Sequence, residues 1–195
     1  MNILKTIALA VGLAITGVAA QAAVWIEGNR LYVDGTTTQG QMYDVSRALN
    51  NNPEIKWVVM SGPGGDYYAG ILMGRILKQK DVRVLIPTGK QCVSACAMAA
   101  MGGKEVWVAG ELWFHRPYLR AVDAMKPLDL TIGRSMVAGG DLIIYLMEMG
   151  FKSVFPRQVL TASGPCKFLV VDSRKRLEGV RLGHHHYQTL DMCGQ

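Results

Sequence analysis

Lys56-Trp57-Val58-Val59-Met60-Ser61 runs directly into Gly62-Pro63-Gly64-Gly65-Asp66, and Tyr67 to Lys80 follows with helical spacing. An unbroken apolar run closed by glycine and proline reads as a strand buried on both faces. In the run after it, Tyr68, Leu72 and Ile76 recur every four residues and are expected to share one helix face. The unit is therefore strand, glycine-rich turn, helix. It repeats at once: Val82 to Ile86 reads as a strand, Pro87 to Gln91 as a turn, and Ser94 to Met101 as a short alanine-rich helix that can pack closely. Alternation of buried strands with helices argues for an α/β sheet with right-handed crossovers rather than a sandwich.

Working outward, Val24 to Glu27 and Arg30 to Asp34 flank Gly28-Asn29 and read as a hairpin, with a helix over Gln39 to Asn50. On the other side, Glu105 to Val108 and Leu112 to Phe114 read as strands. From Leu128 onward the chain reads as mainly helical, with Thr131 to Met149 the longest run and Gly150 as its C-cap. Methionines 98, 101, 136, 147 and 149 fall at helical spacings among Ala, Leu and Ile and read as core or subunit-contact filler.

Of 195 residues, 50% are hydrophobic and 18% charged, which excludes disorder and fibre and suits one compact domain. The net charge of +6 comes from a mild basic surplus spread along the chain, so nucleic acid is not an expected partner. The apolar stretch Ile7 to Ala20, after Lys5 and before Ala20-Gln21-Ala22, has the form of a secretory signal and is short for a membrane span. Residues 1–22 are therefore expected to be removed, leaving a single domain over 23–195, without a membrane span, in the periplasm or outside the cell.

In such an oxidising space Cys92, Cys96, Cys166 and Cys193 are allowed to pair, in three connectivities. Their spacing lacks the two close thiol pairs of a zinc site. Three adjacent histidines, His184-His185-His186, cannot all face one ion from a regular strand or helix and read as a solvated tail. No metal or other cofactor is expected.

Three segments could carry chemistry: the Ser61 to Gly65 turn, Gln91-Cys92-Val93-Ser94-Ala95-Cys96-Ala97, and Trp113-Phe114-His115-Arg116-Pro117. Acyl transfer needs a nucleophile, a base and donors for an oxyanion. Ser94 opens a helix whose first N–H groups have no intrahelical acceptor, and Ala95 supplies one of them. Gly64-Gly65 lets a second backbone strand come close. His115, the only histidine outside the 184–186 cluster, is the leading base for Ser94. Each piece also has a plainer use: a serine there can cap the helix, a histidine can sit bonded in the core, and Pro-Gly-Gly can be only a turn.

Taken in order, these segments resemble the Clp protease proteolytic subunit family within the Clp/crotonase superfamily, closest to secreted or periplasmic Clp-like proteins with cysteines flanking the serine. The resemblance covers about Trp57 to Pro117. It implies a Clp/crotonase-like spiral of strand-turn-helix units, with Ser94 as nucleophile, His115 as base and the N–H groups of Gly65 and Ala95 as oxyanion hole. Gly62 stands as an extra or shifted residue in the Ser-Pro-Gly-Gly pattern. The family's third residue precedes a short helix that Asp172 to Val180 resembles, which makes Asp172 the candidate acid. Asp172 also falls where the cap of that helix would be, and Asp123, Asp129 or a bare dyad remain open. Homo-oligomeric rings are likewise implied by the resemblance.

Cys92 and Cys96 would clamp the Ser94 turn if bonded, a pairing that their separation permits without enforcing. A Cys166–Cys193 pair would tie the tail to the body. The expected function is a secreted Clp-like serine hydrolase acting on peptide or protein substrates. The alternative is a non-catalytic module of the same fold that binds peptides or a protein partner. An acyl-CoA enzyme of the crotonase type shares the oxyanion turns, but export argues against it.

Overall fold

The computed structural model describes residues 22–117, 128–162, 167–172, 176–178 and 187–191. A hairpin of β1 (Ala23–Glu27) and β2 (Arg30–Asp34) opens the described chain and leads through β3 (Thr36–Thr37) to α1 (Gln39–Asn51). Thr38 caps α1 by accepting the Gln41 N–H at 3.1 Å. Next come β4 (Trp57–Met60), β5 (Gly64–Gly65), α2 (Tyr67–Gln79), β6 (Arg83–Ile86), β7 (Gln91–Val93), α3 (Ala95–Ala100), β8 (Glu105–Val108) and β9 (Glu111–Phe114). Helices α4 (Leu128–Glu148) and α5 (Val154–Ala162) are followed by β10 (Lys167–Asp172), β11 (Arg176–Glu178) and β12 (Tyr187–Asp191).

Two larger sheets organise most of these elements, and β3 pairs with β5 in a small third one. One has the order β1-β2-β4-β6-β8-β11, parallel from β2 through β8 and antiparallel at both edges. The second has the order β12-β10-β9-β7 and is parallel only between β7 and β9. Val58, Val84 and Val106 stand side by side across the parallel ladder and are fully buried, and in β4 Val59 on the opposite face is buried as well. Towards β8 that opposite face opens, with Trp107 41% exposed, so only β4 is closed on both faces as its unbroken apolar run suggests.

Tyr68, Leu72 and Ile76 share one face of α2, and it is the face turned away from the core. Tyr68 and Leu72 are 51% and 43% exposed, whereas Ala69, Gly70, Met73, Gly74 and Leu77 are buried. The physical reason is size. A Cβ on Gly70 would stand 2.5 Å from the Ala95 carbonyl oxygen, so the small-residue stripe gives α2 the shortest approach to the wholly buried α3. Burial of each Met or Leu on that seam is worth about 1.5–3 kcal/mol.

The expected mainly helical region holds from Leu128 to Ala162, with the Gly150 N–H donating to the Met147 carbonyl just beyond α4. Strands then follow. Where the family resemblance implies a helix over Asp172 to Val180, the described residues are strand instead: Asp172 ends β10, and Arg176–Glu178 pairs with β8. Among the described residues no helix is long and apolar enough to cross a membrane. Residues 1–21 of the expected signal, Asp123, His184 to His186, Cys166 and Cys193 lie outside the described residues.

Candidate active site

The glycine-rich turn is stitched on both sides. The Ser61 N–H donates to the Val33 carbonyl, the Gly62 N–H to Gln91 at 2.8 Å, and the Val93 N–H back to Gly62 at 2.9 Å. On its other flank β5 pairs with β3, and the Asp66 N–H donates to the Thr37 carbonyl at 2.8 Å. Asp66 also caps α2 by accepting the Ala69 N–H. The segment Ser61 to Asp66 therefore has its backbone fixed to the strand that carries the nucleophile candidate.

Ser94 follows β7 at the mouth of α3. Its φ of 56° and ψ of −118° lie in a region that a residue with a Cβ enters only at a cost of about 1–3 kcal/mol. Its hydroxyl makes no capping bond to the helix, so the plain capping role is not the one it fills. Three constraints hold the strained turn. The Ser94 N–H donates to the Trp113 carbonyl at 2.8 Å, and the Met98 N–H donates to the Ser94 carbonyl at 2.9 Å. Cys92 and Cys96 form a disulfide across the turn, with Cα atoms 5.2 Å apart and both residues buried. The sequence left this pair open.

Gly64 has φ 86° and presses on the same turn. A Cβ there would lie 2.5 Å from the Val93 carbonyl oxygen, 2.7 Å from the Ser94 Cβ and 3.0 Å from the Ala95 nitrogen. Only a residue without a side chain fits. Gly65, one residue on, and Ala95, the first residue of α3, thus flank Ser94 from two backbones, and Gly64, Gly65 and Ser94 line one cavity of 970 Å³.

His115 lines that cavity too. Val93 pairs with Trp113 across the parallel β7–β9 ladder, so Ser94 and His115 leave neighbouring strands just past the paired position. The His115 Nδ1 lies 2.8 Å from the Arg116 carbonyl oxygen. A carbonyl can only accept, so in the neutral ring Nδ1 carries the proton and Nε2 the lone pair. Burial lowers the His115 pKa below its ordinary 6.5, and the bond to the Arg116 carbonyl offsets part of that effect. The Phe168 ring meets the imidazole edge to face, with centroids 5.4 Å apart. At neutral pH the ring is an uncharged base with a defined tautomer.

Asp172 is not placed beside His115. The β9–β10 register pairs Phe114 with Leu169 and Asp172 with Glu111. That leaves Asp172 at the opposite end of β9, about 13 Å of strand from the level of His115 at about 3.3 Å per residue. The cause is the strand that forms where the resemblance implies a helix. Phe168 and the Arg116 carbonyl stand next to the imidazole instead.

Three features around the imidazole and the cavity escape sequence reading. The backbone carbonyl of Arg116 has no residue-type signal. Phe168 comes from a strand recruited by distant pairing. Arg134, Val137, Ala138 and Leu142 on α4 face the site at helical spacing, a pattern visible in the sequence but with no motif to aim it. Helix α4 is anchored there by the Tyr67 hydroxyl, which donates to the Ala138 carbonyl at 2.9 Å. Burial, with the nearby Asp141 charge, holds the Tyr67 phenol neutral well above its usual range. No cluster of metal-ligating side chains occurs among the described residues.

No protein-family model matches the sequence, and no curated protein matches it. Solved structures do. A point mutant of the 1510-N membrane-bound stomatin-specific protease, in complex with a substrate peptide, aligns with a TM-score of 0.51 at 16% identity, over 67% of this chain and 64% of that one. A point mutant of ClpP1 from Listeria monocytogenes aligns with a TM-score of 0.52 at 14% identity, over 67% of this chain and 77% of that one. The chain spans less than two thirds of the stomatin-specific protease. At these identities the likeness is one of fold, and over two thirds of its length this chain has the mixed α/β fold of Clp-like proteases.

Proposed function

We propose that the protein is an exported Clp-like serine hydrolase that acts on peptides, with Ser94 as nucleophile and His115 as its base. One observation carries this reading: a serine held in a strained turn, its hydroxyl unused by the helix behind it, opens into the cavity that the only imidazole among the described residues also lines. Strain of that kind persists only where the surroundings enforce it. Here a disulfide, a ladder bond and a glycine pressed against the Ser94 Cβ do so.

In this reading the Ser94 hydroxyl attacks an amide carbonyl while its proton passes to the His115 Nε2. The oxyanion takes hydrogen bonds from the Gly65 and Ala95 N–H groups. The proton then leaves with the amine, and water releases the acyl group by the same route in reverse. The Arg116 carbonyl takes the orienting part of a third residue, but it lacks the charge that would stabilise the imidazolium. The Ile7 to Ala22 pattern and the Cys92–Cys96 bond support export to an oxidising space.

The test is a fluorophosphonate probe on the mature protein, read by intact mass. A single adduct that vanishes in Ser94→Ala and slows sharply in His115→Ala supports the assignment. An adduct that survives Ser94→Ala refutes the assignment of the nucleophile; no adduct in the wild type, together with no cleavage of a peptide library, leaves the peptide-binding module as the function.

A further inference from the structure

The wall that α4 gives the cavity is graded. Arg134, Ala138 and Leu142 recur every four residues and so share one helical face. Leu142 is 1% exposed, Ala138 half-buried and Arg134 exposed. Eight residues of helix, about 12 Å, separate the closed apolar end from the open charged one. Met98, itself buried, adds to the apolar end, while Gly133 accompanies Arg134. Among the described residues that line the cavity, Arg134 alone carries a full charge at neutral pH, since burial keeps His115 neutral.

From this geometry we infer that Arg134 is a specificity residue, and that the preferred peptide carries a carboxylate at the mouth of the cavity with an apolar side chain directed towards Leu142 and Met98. A cleft fixes the pose of its ligand with few polar groups among many apolar ones, and a guanidinium matches a carboxylate through two parallel N–H donors. Arg134 stands at the open end, so the pair has the modest, salt-sensitive strength of an exposed one. The inference rests on the peptide-directed reading of the site but not on turnover.

Binding to the Ser94→Ala protein tests it without catalysis. Hexapeptides with one leucine, labelled at the N-terminus with an uncharged boron-dipyrromethene dye, would be titrated by anisotropy at low salt in four forms: C-terminal acid or amide, each with an internal Glu or Gln. The expected result is about five- to tenfold tighter binding of a carboxylate form over the form lacking any carboxylate. The acid–amide and Glu–Gln comparisons say which carboxylate is read. The preference should shrink at high salt, disappear in Arg134→Gln and reverse in Arg134→Glu. Equal affinity for all four forms, no binding by any, or a preference that persists in Arg134→Gln overturns the inference. Probe labelling of Ser94 in the wild type reports separately on the hydrolase.

Discussion

Replacing Gly64 with alanine tests the contact on which the site is built, and Gly28 supplies the control. Both residues have positive φ, 86° and 59°, so each substitution carries a backbone cost of about 1–2 kcal/mol. They differ in surroundings. A Cβ on Gly28 meets nothing within 4 Å, whereas one on Gly64 stands 2.5 Å from the Val93 carbonyl oxygen and 2.7 Å from the Ser94 Cβ. Neither neighbour is the loose end of a side chain, so the turn must retreat from the nucleophile. A displacement on the order of 1 Å costs about 100-fold in rate, and loss of one oxyanion donor costs about 100- to 1000-fold. Gly28→Ala should therefore lower the melting temperature by about 2 to 8 °C and leave the labelling rate of Ser94 unchanged. Gly64→Ala should lower that rate at least about 100-fold while the protein stays folded by circular dichroism. A folded Gly64→Ala protein labelling at close to the wild-type rate would refute the idea that this turn shapes the reaction centre.

The His115 shift sets the pH profile: kcat/KM should fall only as pH drops through a pKa below 6.5, because the reacting form is the neutral ring. The same shift has a stability consequence, since between the folded pKa and 6.5 the unfolded chain binds a proton the native state does not, so stability rises with pH there. The penalty is complete below the folded pKa and absent above 6.5, and urea titrations of wild type and His115→Gln from mildly acidic to neutral pH should show the slope only in the former. Removing the four-residue-separated disulfide with Cys92→Ala/Cys96→Ala should destabilise by about 2 kcal/mol on loop closure, measured by denaturant midpoint, and should lower kcat more than it raises KM. Equal stability and kcat would contradict its clamping role. Gly74→Ala drives a methyl into the Tyr145 hydroxyl, which is buried and donates to the Met98 carbonyl at 2.7 Å. It should cost about 1–3 kcal/mol, and Tyr145→Phe, itself costing about 1 kcal/mol, should recover part of that loss in the double variant.

Local pattern carried much of the fold. Valine- and isoleucine-rich runs bounded by glycine and proline located the buried parallel strands, and Gly28-Asn29 located the hairpin. Strands β7 and β10 to β12 were invisible for a physical reason: β7 is three residues long and exists because β9 and the Gly62 backbone pair with it. The inward face of α2 had no signal in its large side chains, because the seam is set by glycines that remove them. At the site, Ser94, His115 and the glycine turn were legible as residue types in order. The neighbours of the imidazole were not, since a main-chain carbonyl leaves no mark in a sequence and Phe168 arrives from a strand far along the chain.

The pairing of Val93 with Trp113 also limits how this protein can change over generations. Nucleophile and base are spaced by ladder register, so one inserted residue between Gly110 and Trp113 would move His115 a strand step, about 3.3 Å, and turn its ring to the other side of the sheet. Point substitutions can tune such a centre, but insertions or deletions in either strand would disconnect it at a stroke. Length variation among descendants of this sequence is therefore confined to places such as the open Gly28-Asn29 tip, far from the ruler that sets the reaction distance.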